Sequence, residues 1–99
     1  MSATLRVAAA QATSVPGDVD ANVATAASLV TSAADRGARV VVLPELFLTG
    51  YAPEFWSLET ALTPSDPRLD PLREVAREPA VVVVAGAAVR RGSGDDPAD

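Results

Sequence analysis

The chain contains no cysteine, no histidine and no lysine. Without cysteine, neither a disulfide framework nor a thiolate nucleophile exists within these residues. Without histidine, the commonest general base and the commonest metal ligand are both missing. All eight basic residues are arginine, so Schiff-base chemistry and an ammonium at a reaction centre are excluded within the 99 residues. Basic charge is scarce as well, with 8 arginines against 13 acids and a net charge of −5. Arg90-Arg91 is the sole adjacent pair of cations, which offers no basic face for nucleic acid. No apolar run approaches the ~20 residues of a membrane span. The apolar run near the N-terminus, Val7 to Ala10, is shorter than the roughly 7–15 residues of a signal h-region. The expectation is therefore a cytoplasmic protein with no nucleic-acid partner and no membrane partner.

What is present is globular. At 48% hydrophobic and 21% charged, the chain has enough apolar surface to fold, and its length allows one small domain. Leu5 to Gln11 is a short apolar run that reads as a strand buried on both faces. Pro16-Gly17 signals a turn, and Asp18 or Asp20 can cap the helix that follows. Val19, Val23, Ala26, Ala27, Val30, Ala33 and Ala34 recur at helical steps, while Asn22, Thr25, Ser28 and Thr31 mostly fall on other faces. Arg36 suits the negative end of that helix, and Gly37 supplies a positive φ for its stop. Val40 to Leu43 is β-branched and predicts a buried strand that Pro44 ends.

Residues 44–64 read as irregular or partly helical. They hold every aromatic of the chain: Phe47, Tyr51, Phe55 and Trp56. Asp66-Pro67 and Asp70-Pro71 each place a capping carboxylate before a proline suited to a first helical turn. Leu69, Leu72, Val75 and Ala76 give a short amphipathic helix, stopped at Pro79. Ala80 to Val89 predicts a third strand with Val81 to Val84 as its core, and 92–99 predicts a loop or frayed tail. The order is β-α-β-loop-α-β, an α/β layered fold. Two helices cannot cover both faces of three nearly all-apolar strands, so burial alone marks the chain as part of something larger.

One carboxylate stands out. Glu45 sits just past the C-terminal end of the strand Val40–Leu43, where ligand sites of α/β sheets gather. Leu43, Leu46 and Phe47 are expected to desolvate it, which disfavours the anion and makes a better base. Gly50 permits a sharp turn, and Tyr51 adds a ring and a hydroxyl. The plainer reading is a glutamate that caps the next turn or pairs with an arginine. Glu54 and Glu59 read as solvated loop charges, Asp95-Asp96 as a solvated tail, and Phe55 and Trp56 as loop anchors.

The run Leu43-Pro44-Glu45-Leu46-Phe47-Leu48-Thr49-Gly50-Tyr51 resembles the first signature of the nitrilase superfamily, the carbon–nitrogen hydrolases. Its surroundings agree in order and spacing. Val7 to Gln11 resembles that family's first strand, Gly17 to Asn22 the stretch before its first helix, and Val82 to Gly86 its third strand. The resemblance runs from Leu5 to about Arg91.

The resemblance implies the N-terminal third of a four-layer α-β-β-α sandwich, with residues 1–99 as a partial domain. It implies a Glu-Lys-Cys mechanism on non-peptide C–N bonds of a small amide, carbamoyl compound or nitrile. In that mechanism a thiolate attacks carbon, a glutamate takes the thiol proton, and a lysine steadies the oxyanion. Glu45 carries over as the general base and Tyr51 as a substrate-pocket residue. No cofactor and no metal are implied, and a full-length form is expected to be a homo-oligomer. The lysine and cysteine have no counterpart here. The expectation is a truncated chain, inactive by itself. Its rivals are a non-catalytic remnant that serves as an interaction module, and an unrelated small α/β binding domain.

Overall fold

A computed structural model of the chain describes residues 4–57, 59–78 and 80–90. Three short strands, β1 (Val7–Ala9), β2 (Val40–Val42) and β3 (Val82–Val84), form one parallel sheet in the order β1-β2-β3. Two helices cross between them, α1 (Val19–Asp35) and α2 (Asp70–Arg77). The mixed α/β class and the element order are those expected. The described residues make up one sheet and one layer of helices.

Helix α1 starts where its sequence says it should. The Asp18 carboxylate accepts from the Ala21 N–H at 3.1 Å, satisfying one of the free donors of the first turn. At the other end Gly37 takes φ 90°, and its N–H donates to Ala34 O at 2.9 Å. The Arg6 guanidinium reaches across from the start of β1 to the Arg36 carbonyl, bringing a cation to the negative end of the helix. Val19, Val23, Ala26 and Val30 form the buried stripe. Burying a valine in this way stabilises by about 1.5 kcal/mol or somewhat more.

The second helix corrects one expectation. Asp66 caps as predicted, accepting from the Arg68 N–H at 2.9 Å ahead of a 3-10 turn, Pro67–Leu69. Asp70 does not cap. The 3-10 turn runs straight into α2, so Asp70 is already helical at φ −57° and ψ −43°, and its carboxylate pairs with Arg73 at 2.7 Å. The predicted stop at Pro79 and the tail at 92–99 lie outside the described residues.

The sheet register divides its side chains cleanly. Ala8, Val41 and Val83 stand abreast on one face, where α1 and α2 pack and Val41 is 0% exposed. Val7, Val40 and Val82, with Ala9, Val42 and Val84, stand on the other. There Val82 is 61% exposed and Val84 51%. The expectation that β1 is buried on both faces is therefore wrong: Val7 and Ala9 are exposed, because both helices lie on the same side of the sheet. The strands are also shorter than read from composition. Beyond Val84 the chain leaves the ladder and meets Leu62 instead, through a parallel bridge at Val89.

Candidate functional site

Strand β2 is the central strand, and its C-terminal end opens into residues 43–50. Leu43 still donates its N–H to Val84 O at 2.9 Å. Pro44 has no N–H to continue the ladder. Its carbonyl instead accepts from Phe47 N at 3.2 Å, closing a turn that carries Glu45 and Leu46 at its tip. Leu46 adopts φ +57°, the sole positive φ outside glycine among the described residues. A left-handed branched residue costs free energy and persists where its surroundings impose it. Here Gly50 N–H donates to Leu46 O at 2.8 Å, and Gly50 itself takes φ +86°. A methyl group on Gly50 would lie 2.8 Å from Pro16 Cα, so only glycine fits there.

The turn is held from beneath by its own side chains. Phe47, Leu48 and Thr49 are buried, Phe47 and Thr49 completely. Thr49 Oγ1 accepts from Ala88 N at 2.8 Å, and Thr49 O accepts from Gly17 N at 3.0 Å. Leu48 N–H donates to Gly86 O at 3.2 Å. Gly86 passes so close that a Cβ there would meet the Leu46 nitrogen at 2.6 Å. Trp56 turns its indole N–H back onto Gly50 O at 3.0 Å, which makes it the loop anchor expected of it.

Glu45 is exposed at the tip, and its carboxylate makes no hydrogen bond or ion pair with any described residue. Among the described residues it neither caps the next turn nor pairs with an arginine. The expected desolvation is also absent. Leu43 and Phe47 are drawn into the core below the turn, so they hold its backbone and do not surround its carboxylate. Tyr51 follows Gly50 on the same loop and is exposed, as are Glu54, Phe55 and Glu59. The arrangement is a hydrogen-bonded turn with an exposed carboxylate at its tip, which can accept a proton from a group brought to it.

Other polar groups have structural roles. Arg68 grips Asp66 through Nη2 at 2.7 Å and Nε at 3.0 Å. These hydrogen bonds, with that from the Arg68 N–H, lower the Asp66 pKa to about 2. Arg73 donates to the carbonyls of Pro64 and Asp66. An open groove of about 340 Å³ between α2 and β3 is lined by Leu48, Leu69, Leu72, Val83 and Ala85. It contains neither Glu45 nor Tyr51 and, apart from Arg73, offers no reactive group. Among the described residues no three acidic side chains gather to hold a metal ion, and no helix is long and apolar enough to cross a membrane.

Residues 6–98 match the carbon–nitrogen hydrolase family. The chain belongs to that family. Over 97 residues it is 32% identical to an arylacetonitrilase of Aspergillus kawachii, a stretch covering 87% of this chain and 30% of that protein. It is 31% identical to an aliphatic nitrilase of Rhodococcus rhodochrous, over 90% of this chain and 28% of that one. A shorter match of 50 residues, 46% identical, links half of the chain to 9% of a glutamine-dependent NAD(+) synthetase of Thermotoga maritima. The chain thus spans about 30% of the length of the nitrilases it matches.

For this carbon–nitrogen hydrolase chain the sequence pattern pointed to Glu45 and missed what holds it. Asn22, expected mostly off the buried face, is 1% exposed. It lies three residues after Val19 and four before Ala26, on the apolar stripe itself, and that placement was the available signal. Gly86 and the left-handed Leu46 carried no local signal, since their roles come from a segment forty residues away along the chain.

Proposed function

We propose that these residues supply the general base of a carbon–nitrogen hydrolase acting on a nitrile, amide or carbamoyl group of a small molecule. The observation that carries this is Glu45: an exposed carboxylate, without a partner among the described residues, on a turn at the C-terminal mouth of the central strand. In the Glu-Lys-Cys mechanism the thiol proton passes to Glu45 as sulfur bonds to the substrate carbon. A lysine cation steadies the negative charge that develops on the substrate. With an amide the proton then leaves with ammonia or an amine as the thioester forms. Water, deprotonated by the same carboxylate, releases the acid and returns the thiol. The nitrilases among the relatives favour a nitrile, and the half-length match to the NAD(+) synthetase favours an amide. Tyr51, exposed on the same loop, serves as a wall of the substrate pocket. The open valine face of the sheet packs against a second sheet in a four-layer α-β-β-α sandwich, and the whole protein is a homo-oligomer.

The 99 residues hold neither the lysine nor the cysteine of this mechanism, so by themselves they do not turn over substrate. The test begins with the intact mass of the protein as the cell makes it. A mass roughly three times 10.1 kDa fits the working hydrolase, since the chain spans 30% of its relative. A mass near 10.1 kDa supports the rival reading, an interaction module presenting its exposed valines to a full-length relative. In the larger protein Glu45→Gln abolishes acylation with the fold intact. Retained turnover in that variant removes Glu45 from the base role.

A further inference from the structure

We infer that Asn22 is a positioning residue for Glu45, fixing the turn that carries the carboxylate through the carbonyl of Leu48. The inference rests on Glu45 as the general base. Asn22 lies in the first turns of α1, fully enclosed. Its carboxamide spends every hydrogen on the backbone. One N–H donates to Leu48 O at 3.1 Å and another to Val15 O at 2.8 Å, while Oδ1 accepts from Val15 N at 2.7 Å. A single side chain thus joins α1, the loop before it and the turn after β2.

Leu48 is the residue through which this reaches Glu45. Its N–H is taken by Gly86 O and its carbonyl by Asn22 Nδ2, so the peptide is gripped from the β3 side and from the α1 side at once. Between Leu48 and Glu45 stand Phe47, wholly buried, and Leu46, held left-handed. With Leu48 hydrogen-bonded on both sides and Phe47 buried, the backbone at Glu45 and Leu46 lies close against Gly86, where a Cβ would meet Leu46 N at 2.6 Å and Glu45 Cα at 3.4 Å. The carboxylate beyond is exposed and has no partner among the described residues. Removing the carboxamide leaves the buried Leu48 carbonyl without its donor, and the turn relaxes toward ordinary φ.

The test compares Asn22→Ala and Asn22→Asp with Val23→Ala, a neighbouring α1 residue just as buried, all made in the full protein as the cell produces it. The aspartate variant is no rescue, because a carboxylate keeps an acceptor for the Val15 N–H but has no donor for Leu48 O. At matched loss of Tm, both Asn22 variants are expected to lower kcat about 100-fold with KM within about twofold. They also shift the 13Cα and 13Cβ resonances of Leu46 away from left-handed values and move those of Glu45 with them. Val23→Ala does neither. Equal effects on kcat and on those resonances in all three variants overturn the proposal, since a general loss of packing would explain them. If Glu45→Gln keeps full turnover, it is the base assignment that falls, and the resonances still report whether Asn22 holds the turn.

Discussion

The two faces of the sheet are built from the same kind of residue and have opposite surroundings. Val41 stands on the covered face, packed beneath α1 and α2 and wholly shielded from water. Val42, one residue further, faces out beside Val7, Val82 and Val84, all of them exposed. Composition cannot tell the two apart, because β2 and β3 are runs of valine without polar alternation. What separates them is that both crossover helices lie on one side. The lesson is that an apolar strand specifies burial on both faces, and a chain of this length provides cover for one.

The comparison can be broken most severely at Val41. Val41→Asp places an unpaired carboxylate in the covered core and is expected to cost upwards of about 4 kcal/mol, enough to unfold the chain in urea titrations. Phe47→Ala, in the same core under the Glu45 turn, is expected to lose about 3–5 kcal/mol. Its loss should also release the turn, visible as faster amide exchange at residues 46–49.

A smaller effect tests the polar end of the covered side. Asp66 is held near pKa 2 by Arg68, against 3.8 for a free aspartate. Its folded value is depressed, so its stabilisation is complete above the unfolded pKa and is lost as pH falls through 3.8 toward 2. That loss should amount to about 2 kcal/mol at most. Asp66→Asn should remove the pH dependence in this window, measured as Tm against pH. The smallest effect belongs to the open face. Val82→Lys should change the stability of the isolated 99-residue chain by less than about 0.5 kcal/mol and raise its solubility. A loss above about 2 kcal/mol would show that Val82 is packed against another surface, and the contrast between the faces would vanish.

Much of the fold was legible along the chain. The limits of α1 follow from Asp18, the valine stripe and Gly37, because caps and helical periodicity are local properties. The parallel sheet follows from strands alternating with helices. The strands came out shorter than their apolar runs, since pairing needs a neighbour and composition does not supply one. At the site, Glu45 was legible from its place after a strand and before Gly50. Its exposure was not, because Leu43 and Phe47, its neighbours in sequence, are buried in the core below the turn. Asp70 misled for a related reason: the Asp-Pro pattern is the same as at Asp66, yet the helix had already begun.

The sequence by itself determined which chemistry these residues can contribute. With no cysteine, histidine or lysine, and a glutamate set after a β-branched strand, it offers a carboxylate and no thiolate. Only the tertiary structure decided how the turn carrying that carboxylate is held. Asn22, Gly86 and the left-handed Leu46 meet at that turn, brought together from α1, the segment after β3 and the turn itself. Residue type and spacing act over a few positions, whereas a hydrogen bond across 26 residues and a backbone approach that excludes a methyl group exist only once the chain has folded.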